Sequence, residues 1–189
     1  LGIISGSPLV GGIVDVETTG FSPDRDEVVE LCLLVFHYDR ELDLVKIIDE
    51  YVGLREPGCF LHPRASQVHG LTMADLCGQD LDYQRVAGMI EQVELLIAHN
   101  AGFDRGFVTR LFPQAISKPW FCSMSGIDWR NKGYPGRGLQ ELLRHHGIAV
   151  ERAHRALDDV RATLELLNYS QTSGISYLKE LLLGRQAAG

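Results

Sequence analysis

The chain has 189 residues, 45% of them hydrophobic and 23% charged, and carries a net charge of −7. That is long enough for one domain with a real core, and it excludes a protein gripped to nucleic acid by a general basic surface. The four cysteines, Cys32, Cys59, Cys77 and Cys122, stand far apart, which excludes a zinc ribbon and favours reduced thiols in a cytoplasmic protein. No apolar run is long enough to span a bilayer, and Leu1-Gly2-Ile3-Ile4, with no Met and no charged segment before it, reads as a trimmed start.

In chain order, residues 9–17 predict a first strand, Val28 to His37 a second and Leu44 to Leu54 a third. No helical pattern separates them, so an antiparallel meander is expected. Pro63 to Gly78 reads as irregular with short helical turns. Leu81 to Gln92 predicts a helix, Glu94 to His99 a short buried strand, and Asn100 to Phe112 a helix closed by Pro113. Trp120 to Ser123 is a weak last strand. Asn131 to Gly138 is a loop by composition. Leu139 to His146 predicts a helix ended by Gly147, and His154 to Tyr169 is the strongest helix, with Leu157, Val160, Leu164 and Leu167 on one stripe. A short C-terminal helix falls within 173–185, with Gln171-Thr172-Ser173 as its cap. Strands first, then helices alternating with strands, predict an α/β fold: a five-stranded mixed sheet flanked by helices, in a single domain over 1–189.

The chemistry concentrates in carboxylates. In Ile13-Val14-Asp15-Val16-Glu17 the period of two puts Asp15 and Glu17 on one face and Val14 and Val16 on the other. Two acids at the end of a buried strand repel each other, so either a divalent cation sits between them or that face meets water. Asp104 falls about one turn into the helix after Asn100, a good N-cap; dipole compensation alone would explain it. Asp158 and Asp159 point about 100° apart. Asp158 shares a face with Arg155, Arg161 and Glu165, whereas Asp159 lies beside the apolar stripe and wants a partner. His154, five positions before Asp159, reaches the same site if it is not simply structural. Together, four carboxylates could hold two divalent cations roughly 4 Å apart, and an imidazole with a pKa near 6.5 suits a base that deprotonates water.

Three ordered segments carry a resemblance. Asp15-Val16-Glu17-Thr18-Thr19-Gly20, His99-Asn100-Ala101-Gly102-Phe103-Asp104 and His154-Arg155-Ala156-Leu157-Asp158-Asp159 resemble the three motifs of the DnaQ-like, DEDDh-type 3′–5′ exonucleases, the family of the proofreading epsilon subunit of bacterial DNA polymerase III. The resemblance covers roughly residues 9–170. It implies an RNase H-like fold, with Asp15, Glu17, Asp104 and Asp159 as ligands of two Mg²⁺ or Mn²⁺ ions and His154 as general base. It implies hydrolysis of single-stranded nucleic acid from 3′ ends to nucleoside 5′-monophosphates, DNA favoured over RNA, with a DNA polymerase as a candidate partner. Thr18, Thr19, Phe103 and His69 are the implied substrate contacts; Phe103 reads equally as core and His69 as a loop cap. His99 is assigned no proton transfer. The rival readings are a non-catalytic nucleic-acid-binding module and a metal phosphatase for small nucleotides.

Overall fold

A computed structural model of the chain describes residues 8–149, 154–171 and 174–184. Five strands form one sheet: β1 (Leu9–Thr18), β2 (Val28–Asp39), β3 (Leu44–Leu54), β4 (Leu95–Ala98) and β5 (Trp120–Cys122), in spatial order β3-β2-β1-β4-β5. β1, β2 and β3 pair antiparallel, while β4 runs parallel to β1 and β5 parallel to β4. The expected meander and mixed sheet are therefore both present.

The register follows from which side chains can be buried. Odd-numbered Ile13 joins Cys32, Leu34 and Phe36 on one face, and even-numbered Val14 and Val16 join Leu31 and Leu33 on the other. The first face is covered by α5 (Leu139–His146), α6 (Ala156–Leu167) and α7 (Tyr177–Gly184). The second is covered by α3 (Tyr83–Gln92) and α4 (Ala101–Leu111). A methyl group at Gly11 would overlap the far end of the Phe36 ring, so glycine lets that ring close on β1. α6 buries Val160, Leu164, Leu166 and Leu167, each contributing about 1.5–3 kcal/mol of apolar burial. That fastens the helix against β1 and β2.

In two stretches the structure adds detail to the sequence reading. The short helical turns expected in Pro63 to Gly78 are two short helices, α1 (Pro63–His69) and α2 (Met73–Leu76), with Gly70 between them in the left-handed region at φ 76°. Near the C-terminus, Thr172, Ser173 and residue 185 lie outside the described residues, as do residues 1–7. The described cap of α7 is Ser176, whose hydroxyl accepts from the Lys179 N–H at 3.0 Å. No described helix is long and apolar enough to cross a membrane.

Candidate active site

β1, β4 and β5 all end at the same edge of the sheet, the edge where open α/β sheets place ligands. A cleft of about 620 Å³ opens there, lined by Asp15, Glu17, Asp104, His154 and Asp159 together with Phe103, His99 and Gln140. The five residues expected to carry the chemistry are thus brought together. Asp15, Glu17 and Asp159 each offer an oxygen within 4.8 Å of the others.

Each acid arrives on a different element. Asp15 and Glu17 follow Ile13 on the α6 side of β1, with a register shift between Glu17 and Thr18 that ends regular pairing beside the cleft. Asp104 lies in the first turn of α4, 2% exposed, and its Oδ1 accepts from the Val16 N–H at 3.2 Å. Asn100 occupies the cap position of α4, but its side chain makes no cap hydrogen bond; its carbonyl instead accepts from Phe103 and Asp104. Asp159 is buried on α6, with Oδ1 accepting from Gln140 Nε2 at 2.9 Å and Oδ2 from the His154 N–H at 3.1 Å. Asp158, its neighbour, is half-buried. His154 sits exposed two residues before α6 with φ 61°, a left-handed conformation uncommon outside glycine.

Electrostatically the cluster is loaded against itself. Burial, then the charges of Asp104, Glu17, Asp159 and Glu30, hold the Asp15 carboxyl well above the usual carboxylate range. Burial and the neighbouring Asp159, Glu30 and Asp104 push Glu17 up to about 8, against the pull of Arg155. Burial raises Asp104 to about 7 despite the Val16 N–H, and Asp159 to about 6 despite His154 and Gln140. An all-oxygen donor set whose members repel one another suits a hard divalent cation, so these residues fit the ions implied by the resemblance.

The other expected contacts fare differently. Phe103 borders the cleft and also packs on Phe107, with ring centroids 5.0 Å apart, so it is both wall and core. Thr18 and Thr19 are buried and their hydroxyls are spent inside the turn. Thr18 donates to the Gly20 carbonyl at 2.6 Å, and Thr19 accepts from the Glu27 N–H at 3.0 Å. His69 is buried; its Nδ1 accepts from the Leu71 N–H at 3.0 Å, the arrangement of a loop cap. The proton therefore sits on Nε2, which makes no hydrogen bond among the described residues but faces the Thr18 backbone, and burial holds its pKa below the ordinary imidazole value. His99 has both ring nitrogens engaged, Nδ1 with Ser123 Oγ at 2.9 Å and Nε2 with the Arg137 carbonyl at 2.8 Å. It braces the sheet edge.

Two features escaped the sequence reading. Phe21, 87% exposed, stands at the cleft mouth 6.4 Å from the Phe103 ring; an aromatic following Gly20 in a turn was its only signal. Glu30 on β2, 1% exposed, lies opposite Glu17. It accepts from Arg155 through Nε at 3.1 Å and Nη2 at 2.6 Å, and from the Ala156 N–H at 3.0 Å. This pair holds the entrance of α6, and hence His154 and Asp159, against the sheet.

A sheet of this order with an acidic cleft at its parallel edge defines the class. The sequence profile described as Exonuclease matches residues 13–167, and the chain belongs to that family. Its relatives make the connection more particular. DNA polymerase III subunit epsilon of Treponema pallidum is 28% identical over 162 residues, 80% of this chain and 72% of the relative. A PolC-type DNA polymerase III of Clostridium perfringens is 28% identical over 163 residues, 84% of this chain; the chain spans only 11% of that polypeptide. Among solved structures, E. coli Exonuclease I in complex with a dT13 oligonucleotide has a TM-score of 0.69 at 19% identity over 87% of this chain and 41% of that one. Exonuclease X in complex with 5′ overhanging duplex DNA has a TM-score of 0.62 at 23% identity, covering 89% of this chain and 99% of that one. These likenesses show the shared RNase H-like fold.

Proposed function

We propose that this chain is a metal-dependent 3′–5′ exonuclease that hydrolyses the terminal phosphodiester of single-stranded nucleic acid, DNA in preference to RNA, releasing nucleoside 5′-monophosphates. The observation that carries the reading is the convergence of Asp15, Glu17 and Asp159, with donor oxygens within 4.8 Å of one another, in the cleft that Asp104 and His154 also line.

In this reading Asp15, Glu17, Asp104 and Asp159 hold two Mg²⁺ or Mn²⁺ ions. Bound ions supply Lewis acidity, stabilising charge on the attacking and leaving oxygens. The chain's own residues do the rest. Gln140 and the His154 N–H each occupy one oxygen of Asp159, fixing the carboxylate's plane. His154, exposed at the cleft edge, takes a proton from the attacking water as the new P–O bond forms and the bond to the 3′ oxygen of the preceding nucleotide breaks. Phe103 and Phe21 offer an aromatic wall for the terminal nucleoside. Thr18 and Thr19, with their hydroxyls already engaged, would meet it through their backbone, and His69 supports that backbone from behind. Relatives named as DNA polymerase III subunits support a polymerase as partner.

The test uses 5′-labelled DNA and RNA oligonucleotides with Mg²⁺, Mn²⁺ or EDTA, resolved on a sequencing gel. A metal-dependent ladder shortening from the 3′ end is expected, faster on DNA. Uncut strands in the presence of metal and folded protein would refute it.

A further inference from the structure

A second cavity, of about 570 Å³, lies beside the cleft at the same sheet edge, within the loop that joins β5 to α5. Its volume is within the range of ligand pockets. Arg130 and Arg137 line it and are exposed, and neither makes an ion pair among the described residues. The acid in the lining, Asp128, is turned towards its own loop: its oxygens accept from the Asn131 N–H at 3.2 Å and Asn131 Nδ2 at 2.6 Å. In a chain of net charge −7, a concave site lined by two guanidinium groups against one carboxylate, neither arginine ion-paired among the described residues, carries a local net charge of the opposite sign.

The loop is also held in shape before any ligand arrives. Trp129 is buried and donates through Nε1 to the Ser123 carbonyl at 2.8 Å. The Tyr134 N–H donates to the Trp129 carbonyl at 3.0 Å, and the Tyr134 hydroxyl meets His146 Nε2 at 3.0 Å. The partition between the two cavities is thin. His99, which lines the cleft, bonds the carbonyl of Arg137, which lines the second cavity. The Met124 N–H bonds the His99 carbonyl at 3.1 Å on the other side. The cleft and the arginine-lined cavity are thus neighbours across His99.

We propose that this cavity is a subsite for the nucleotides 5′ of the terminal one, with Arg130 and Arg137 gripping their phosphodiesters. The inference rests on the nuclease reading above and adds to it the path of the strand. Planar guanidinium forks match phosphate oxygens, and two such forks give a short, local grip without a basic surface. The experiment compares the intact chain with its Arg130→Gln/Arg137→Gln variant, measuring affinity for fluorescent dinucleotide and octanucleotide single-stranded DNA by anisotropy in EDTA. For the unaltered chain the octanucleotide should bind much more tightly than the dinucleotide, and the variant should shrink that advantage at least tenfold. The salt dependence of octanucleotide binding should flatten too, by about 0.7 in log–log slope for each phosphate no longer gripped. An undiminished length advantage, or equal weakening for both lengths, would overturn the subsite. Arginine-dependent binding by a chain that cuts no strand with Mg²⁺ would uphold the subsite and overturn the nuclease reading alone.

Discussion

Replacing Arg155 by alanine should be among the more damaging single changes outside the carboxylate cluster. It leaves Glu30, 1% exposed, without its guanidinium partner while Glu17 stands opposite in the register. Breaking a buried ion pair by removing one member costs about 3–5 kcal/mol. The Arg155 side chain is 28% exposed, so water can reach the vacated space and the low end, about 3 kcal/mol, applies. For a chain of this size each kcal/mol lowers Tm by roughly 2–4 °C, which gives a fall of about 6–12 °C. The control is Arg161→Ala, which removes a pair to Glu50 whose arginine is 56% exposed; such surface pairs are worth about 1 kcal/mol or less. Thermal unfolding followed by circular dichroism in EDTA measures both. Activity should fall further than stability alone explains, because Glu30 also accepts from the Ala156 N–H at the start of α6 and so positions Asp159. If Arg155→Ala is no more destabilising than Arg161→Ala, the strut has been misread.

Asp15→Ala should abolish metal-dependent cleavage while raising the Tm measured in EDTA, since it removes a desolvated carboxyl group whose ionisation burial, Asp104, Glu17 and Asp159 all oppose; near-normal turnover would contradict its proposed role as a ligand. Asp158→Ala should leave most activity intact and Asp159→Ala almost none, a ranking that steady-state kinetics on one oligonucleotide can reverse or uphold. The metal-free chain should lose stability as pH rises. Its carboxyls titrate higher folded than unfolded, Glu17 at about 8, Asp104 at about 7 and Asp159 at about 6, so the native state binds more protons. The stabilisation is complete below the ordinary carboxylate range near pH 4 and drains away up to about pH 8. Tm in EDTA should therefore drop between about pH 5 and 8, and added Mg²⁺ should raise it most at the upper end; a flat profile would count against the buried cluster.

Much of this was legible because it is periodic. Alternation along β1 separated Asp15 and Glu17 from Val14 and Val16, and the step of about 100° along α6 separated Asp159 from Asp158. The strut was not legible, since Glu30 and Arg155 are 125 residues apart and nothing local marks a buried glutamate in an apolar strand. Nor was the lock on Asp159, which comes from Gln140, an ordinary polar residue in the first turn of α5. Thr19 and His69 are a different case. The resemblance implied substrate contacts at both, and a loop cap equally for His69; the hydrogen bonds that occupy the Thr19 hydroxyl and His69 Nδ1 come from Glu27 and Leu71, and the loop-cap role is the one seen for His69. Asn100 stands at its cap position, its carbonyl accepting the first helical bonds from Phe103 and Asp104, while its side chain makes no cap hydrogen bond.

The mutual repulsion of the four acids has a bearing on how this chain can be improved. At positions 15, 17, 104 and 159 burial and mutual repulsion oppose the fold, so substitutions there that remove the acid should lower its free energy. A library screened only for heat resistance would therefore drift toward asparagine, glutamine and small apolar residues at those four places. Its hardiest survivors would be inert. Selection for robustness here has to be coupled, clone by clone, to strand cleavage.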